Sequence, residues 1–196
     1  MSDDQVRQHS QRIGQYDHSD ESRFAQITGQ ITGNLPGQDL QMRIARDGTW
    51  YYRGSAINRL PLVQLFAGVL RREDDGSYWL VTPVERGRID VEDVPFVAVE
   101  LAGEGSGRDR RLSLRTNLND WVVLGPEHPL RVAIEPESGE PRPYIMVRDG
   151  MEARVARSTY YHLVEEGQWE QQEGEERFGV WSSNQFFALA PSAQAC

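Results

Sequence analysis

The chain has no lysine: all 21 of its basic residues are arginine, set against 30 acidic residues for a net charge of −9. That absence excludes Schiff-base catalysis, attachment of pyridoxal phosphate and the lysine of a Walker-type phosphate loop. The only cysteine, Cys196, stands at the end of the sequence, so neither an internal disulfide nor a cysteine metal cluster is to be expected. No apolar run approaches the roughly 20 residues that cross a bilayer. The opening "MSDDQVRQHSQR" lacks the apolar core of a secretory leader. These gaps point to a cytoplasmic protein with no membrane contact. An acidic chain is also poorly suited to non-specific nucleic-acid binding, which neutralises phosphates with a basic surface. A G-x-S-x-G nucleophile motif is missing, and no histidine is marked by its neighbours as a partner for a serine. The expectation is a protein that is not an enzyme and carries no cofactor.

What is present is a chain of 196 residues, 38% hydrophobic and 26% charged, enough for one or two modest globular domains. Residues 1–39 read as a polar tail with two isolated histidines, His9 and His18. Phe24, Ile27 and Ile31 are spaced for a short helix that "GNLPG" ends. From Leu40 apolar and polar residues alternate. In "MRIARDGTWYYRG" (42–54) the Asp47-Gly48 pair favours the torsions of a two-residue hairpin turn. Pro61 suits the first turn of a helix with Leu62, Leu65, Phe66, Val69 and Leu70 in one stripe, Asn58 as N-cap and an end near Glu73.

"SYWLVTP", "GRIDVED", "PFVAVEL", "RRLSLRT", "DWVVLG" and "PLRVAIE" follow as short runs bounded by turn residues, the pattern of consecutive antiparallel strands. A second Arg-Asp-Gly then sits in "YIMVRDGMEARVA" (144–156), again as a hairpin. "RSTYYHLVEEG" reads as a helix capped by Ser158 or Thr159, and "FGVWSS" and "QFFALA" as two last strands. Met42 aligns with Tyr144, Ile44 with Met146, and "LVQLF" with "YYHLV". The order hairpin, helix, strands thus occurs twice. The fold class is α+β, built of two similar halves by internal duplication, with antiparallel sheets that each carry one main helix. The first half spans 40–102 and the second, mostly antiparallel sheet, 103–196.

Over residues 40–190 the ordered motifs "DGTWYYRGSAINRLPLVQLFAGVL", "TNLNDWVVLGPEHPLRV", "PYIMVRDGMEARVARSTYYHLV" and "GVWSSNQFFALA" resemble a bacterial family known as domain of unknown function number 1285. The resemblance implies a duplicated α+β core and a second half loosely similar to pleckstrin-homology-like folds. It further implies a small-ligand site between the halves, with a nucleotide-like ligand and a role in signal transduction.

Arginine is a planar, permanently charged fork suited to carboxylate and phosphate. Arg53, Asn58 and Arg59 surround the start of the first expected helix, where free backbone N–H groups and the dipole favour an anion. The plain alternative is that Asn58 only caps and the arginines pair with surface carboxylates. With a two-residue turn in the second hairpin, Arg154 shares a face with Ile145, Val147 and Glu152, so either Glu152 or a ligand anion serves as its partner. In "LRTNLNDW", Arg115, Thr116 and Asn117 either make a turn or line a polar site. Glu85, with Asp90 or Glu92, is a weaker pair for acid and base work, beside the reading of a solvated face. "GEGSGRDRR" has the wrong glycine spacing for a dinucleotide cradle and reads as a hairpin loop, and His128 and His162 lack partners at ligand spacing. The leading expectation is a module binding a small anionic metabolite, a nucleotide among the candidates, in a cleft between the halves. The alternative is a protein-interaction adaptor that takes a peptide or partner domain in a groove or on a strand edge.

Overall fold

The computed structural model describes residues 39–83, 86–172 and 174–190. Residues 1–38, on which the expected short helix falls, Glu85 and Cys196 lie outside them. The chain divides into two units after Pro95, earlier than the expected break after residue 102, because Phe96–Glu104 is one uninterrupted strand of the second unit.

The first unit comprises β1 (Asp39–Ile44), β2 (Trp50–Tyr52), β3 (Ser55–Ala56), α1 (Leu60–Gly68), β4 (Leu70–Arg72), β5 (Tyr78–Val81) and β6 (Arg86–Val91). They form one sheet in the order β3-β2-β1-β6-β5-β4, antiparallel except for the parallel pair β1 and β6 at its centre. The alternation of "LQMRI" places Met42 and Ile44 inside and Gln41 and Arg43 outside. Trp50, opposite Ile44, stacks on Phe66 of α1 at 6.2 Å, and Leu70, Leu80 and Ile89 complete the core. A helix of nine residues is too short to stand alone, so burial of Val63, Phe66 and Ala67 holds it.

Two expectations about α1 are corrected. Its N-cap is Arg59, with no side-chain cap, and not Asn58. It ends at Gly68 rather than near Glu73, because Leu70–Arg72 pairs with Tyr78–Val81 and so delivers Leu70 to the core from a strand. Periodicity could not separate these outcomes, since Val69 and Leu70 are buried in both. Likewise the helix Arg157–Glu165 is capped by Ala156, while Thr159 is buried within its first turn.

The second unit comprises β7 (Phe96–Glu104), β8 (Arg111–Thr116), β9 (Trp121–Val123), β10 (Leu130–Ile134), β11 (Pro141–Arg148), β12 (Met151–Val155), α2 (Arg157–Glu165), β13 (Gln168–Gln172), β14 (Glu175–Ser182) and β15 (Gln185–Ala188). Its larger sheet runs β10-β11-β12-β7-β8-β9 with β7 and β12 parallel at the centre, and β13-β14-β15 form a separate antiparallel sheet. Phe96, Leu112, Leu114, Leu124, Ile145, Met151 and Leu163 are its most buried large side chains. Ser182 joins the sheets: its buried Oγ accepts from the Leu112 amide (2.9 Å) and donates to the Leu124 carbonyl (2.6 Å).

Both six-stranded sheets have one topology. Three strands step outward from the centre, the chain crosses to the other edge, and three step back to lie parallel to the first. The duplication is therefore one of strand order, in which α1 follows the third strand of its unit and α2 the sixth. The expected alignment of the two Arg-Asp-Gly hairpins and the two helices does not match it.

The turns explain why. Asp149 and Gly150 have φ of 46° and 71°, the two-residue turn expected. Around Asp47 the loop is one residue longer: Ala45 N donates to Thr49 O, Gly48 N to Ala45 O, Thr49 N to Asp47 Oδ1, and only Gly48 takes a positive φ. The true counterpart of "ARDGT" is "EDDGS" (73–77), where Glu73, Asp75, Gly76 and Ser77 make the same three bonds.

Candidate functional site

Each proposed site residue has a definite place. Arg53 and Gly54 are the two turn residues between β2 and β3, with φ of 48° and 80°. The Arg53 guanidinium lies 5.1 Å from the centre of the Tyr52 ring. Asn58 and Arg59 are exposed just ahead of α1, on the far side of β3 in sequence from Arg53. In the second unit, Arg115 is engaged by Glu100 (2.6 Å) and by Asn119 Oδ1 (2.7 Å). Thr116 is wholly buried, its Oγ1 accepting from the amides of Leu118 and Asp120 at 3.2 Å. Asn117 grips Val97 twice, its Oδ1 accepting from Val97 N (3.0 Å) and its own amide donating to Val97 O (2.7 Å). Thr116 and Asn117 thus make the turn that links β8 to β9 and dock it on β7.

Arg154 stands opposite Val97, so it and Asn117 flank the same residue from neighbouring strands. Its expected face is corrected. An irregularity between Met146 and Arg148 shifts the register so that Arg154 faces Tyr144 and Glu152 faces Met146, while Ile145 lies opposite Ala153. One extra residue in a strand moves every later side chain to the other face. Arg154 therefore shares its face with Tyr144, and Glu152 is held instead by Arg131 through two bonds of 2.6 and 2.5 Å.

The weaker candidates are structural in their surroundings. Glu92 pairs with Arg43 and accepts from the Arg46 amide (2.9 Å), and that amide bond holds its carboxyl below the usual range. Asp90 is exposed on β6. His128 Nδ1 is 3.0 Å from the Met146 carbonyl oxygen, and His162 is exposed on α2. "GEGSGRDRR" is the hairpin between β7 and β8, where Arg108 pairs with Glu170 (3.1 Å) and Arg110 with Glu166 (2.5 Å). Among the described residues no three His, Cys, Asp or Glu side chains gather as metal ligands, and no helix is long and apolar enough to cross a membrane.

A different feature of the second unit has the shape of a site. A groove of about 410 Å³ runs between β10 and β15, lined among others by Leu130, Arg131, Val132, Arg177, Phe186 and Ala188. Each of these strands ends its sheet. In an antiparallel pair, alternate residues aim both backbone groups at the partner. The bonds from Glu135 N to Glu140 O (2.9 Å) and from Met146 N to Pro129 O (3.0 Å) show that odd-numbered residues of this segment face β11. Leu130 and Val132 therefore turn their N–H and C=O to the open side. By the same argument, the bond from Leu189 N to Phe178 O (3.0 Å) leaves Phe186 and Ala188 facing away from β14. Two strand edges with no partner strand among the described residues thus form the walls, and all four outward-facing residues line the groove.

Its charges are arginines. Arg131 is fixed by Glu152 and lies 4.2 Å over the Tyr144 ring. Arg177 has a single contact to Glu175 (3.1 Å), while its Nε is buried without an acceptor. Sequence reasoning missed these residues. "PLRVAIE" and "QFFALA" are legible as strands, but nothing in a strand's own sequence says that it is an edge, or which other edge it will meet.

The chain is thus a protein of two β-rich units with one strand topology. Two family models divide the chain at the same place: a "Domain of unknown function (DUF1285), N-terminal domain" matches residues 36–94 and a "Protein of unknown function (DUF1285), C-terminal domain" residues 95–189. The chain belongs to the DUF1285 family. It is similar to the crystal structure of a DUF1285 family protein from Silicibacter pomeroyi DSS-3, with 43% identity and a TM-score of 0.73 over 83% of this chain and 87% of that one. A DUF1285 family protein from Shewanella baltica OS155 is 25% identical with a TM-score of 0.50, over 63% of this chain and 90% of that one. No curated protein matches.

Proposed function

We propose that this protein is a cytoplasmic, non-enzymatic interaction module that takes an extended protein segment as an added strand in the groove between β10 and β15. The observation that carries the reading is the pair of edges, Leu130 with Val132 and Phe186 with Ala188, that face one groove with no partner strand among the described residues. An extended segment gains main-chain bonds from such an edge and specificity from the side chains around it. β7 to β12 followed by α2 is also consistent with a pleckstrin-homology-like arrangement, curled strands closed by a C-terminal helix. Phosphotyrosine-binding domains, which bind peptides by strand addition, work in this way. Capture of this kind suits an adaptor in signal transduction.

The test is selection of a displayed random-peptide library on the full chain, followed by anisotropy measurements with a recovered peptide. Val132→Pro deletes one outward N–H and no ladder bond, since Val132 faces away from β11. A tenfold or greater loss of affinity in this variant is expected. Binding unchanged by it would refute strand addition at β10.

A second reading concerns the first unit. Asn58 and Arg59 are exposed at the start of α1 and Arg53 in the turn two elements before it, a set of groups that favours a small anionic metabolite at this helix start. Thermal stabilisation by nucleotides or acidic metabolites that is lost in Arg53→Ala, Arg59→Ala would support it, and equal stabilisation of that variant would remove it.

A further inference from the structure

We infer that the segment taken in the β10–β15 groove is acidic, and that Arg177 reads its carboxylate. This rests on the strand-addition reading and adds the chemistry of the occupant. Among the described residues, those lining the groove include two arginines and no aspartate or glutamate, in a chain whose net charge is −9. Across most of such a surface an acidic segment is repelled, so a carboxylate-free, arginine-lined groove is where one is accepted.

The two arginines differ in freedom. Arg131 is committed: two of its nitrogens bond Glu152, whose side chain is only 17% exposed, and its guanidinium lies over Tyr144. It is a fixed positive wall. Arg177 holds Glu175 through one nitrogen, and that carboxylate is 45% exposed, so water replaces the contact at little cost. Its Nε is shielded from solvent with no acceptor, which leaves a buried donor unmet. Glu170, across the strand pair from Arg177, is already engaged by Trp181, Gln168 and Arg108. Turning the Arg177 fork toward a ligand carboxylate gives it two parallel bonds in exchange for one. The side chain therefore gains more by binding an acidic residue, which takes two charge-assisted bonds, than by binding a neutral acceptor.

The experiment uses the same library on the full chain. Peptides that depend on Val132 are expected to be enriched in Asp or Glu at one position. Replacing that residue by Gln or Asn in the peptide, or Arg177 by Gln in the protein, should each weaken binding about tenfold, with no further loss when both are changed. Should Arg177→Gln fail to fold, the peptide substitution and the fall in affinity with added salt test the same contact on the unaltered protein. Val132-dependent peptides without acidic enrichment, or indifferent to the charge change, would overturn the role of Arg177 while leaving strand addition intact. Recovery of no Val132-dependent peptide would overturn both. A concentration-dependent dimer disrupted by Val132→Pro would make a second copy the occupant and overturn the acidic partner.

Discussion

Ser182 offers the most direct test of how the second unit is held together. Its side chain is fully buried, and its Oγ satisfies the Leu112 amide at 2.9 Å and the Leu124 carbonyl at 2.6 Å. In Ser182→Ala the Leu112 amide is left buried and unmet, which costs about 1–3 kcal/mol. The Leu124 carbonyl keeps a second donor, Ser183 Oγ at 3.1 Å, so its share of the loss is withheld. The expected destabilisation is about 2 kcal/mol, a fall in urea midpoint of about 1 M for a slope near 2 kcal/mol/M. Ser183→Ala should cost well under 1 kcal/mol, because the shorter bond remains. The double variant should lose about 1 kcal/mol more than the sum, since only then is the carbonyl abandoned. Urea unfolding should be followed by both tryptophan fluorescence and circular dichroism, because two units need not unfold together. A loss under 0.5 kcal/mol for Ser182→Ala, or strict additivity in the double variant, would refute the reasoning.

Gly179→Ala would set a Cβ 2.2 Å from the Phe187 carbonyl oxygen, which cannot yield without breaking the β14–β15 pair. A loss of about 3 kcal/mol is expected, against a smaller one for Gly87→Ala, which meets only the Leu40 side chain; equal melting points for the two would contradict this. Burial raises the Tyr160 phenol above its ordinary value of 10.0. A raised pKa means its contribution is whole below pH 10 and drains away as pH climbs through the folded value. The alkaline limb of a stability profile should therefore flatten in Tyr160→Phe, which also leaves the Leu189 carbonyl without its donor. At the acid end, Arg110 lowers Glu166 and Trp181 lowers Glu170 from 4.5. Their support is present above pH 4.5 and is lost as pH falls below it, so Glu170→Gln should show a shallower acid limb in the same titration.

The strands were legible from alternation because a half-buried sheet writes its two faces into the sequence. "SYWLVTP", "RRLSLRT" and "PLRVAIE" all became strands near their expected places. The end of α1 was not legible, since Leu70 is buried from a strand as well as it would be from a helix. The face of Arg154 was lost to a single irregularity near Val147. The acidic candidates Asp90 and Glu92 could not be sorted from surface charge until the Arg46 amide was seen to hold Glu92. Arg131 and Arg177 gave no local signal, because their significance depends on which strands end a sheet.

The two Arg-Asp-Gly turns mark the boundary between the two kinds of information. By itself the sequence determined that each would be a tight reversal between strands, because Asp-Gly relieves the backbone strain that a reversal imposes. It also determined a lysine-free, acidic, strand-rich chain. Only the tertiary structure decided that one turn has two residues and the other three, and that the repeat lies in strand order rather than in the shared tripeptide. It likewise decided that β10 and β15 present to one groove edges with no partner strand among the described residues. Strand formation depends on neighbouring residues, whereas edge position and register depend on partners far along the chain.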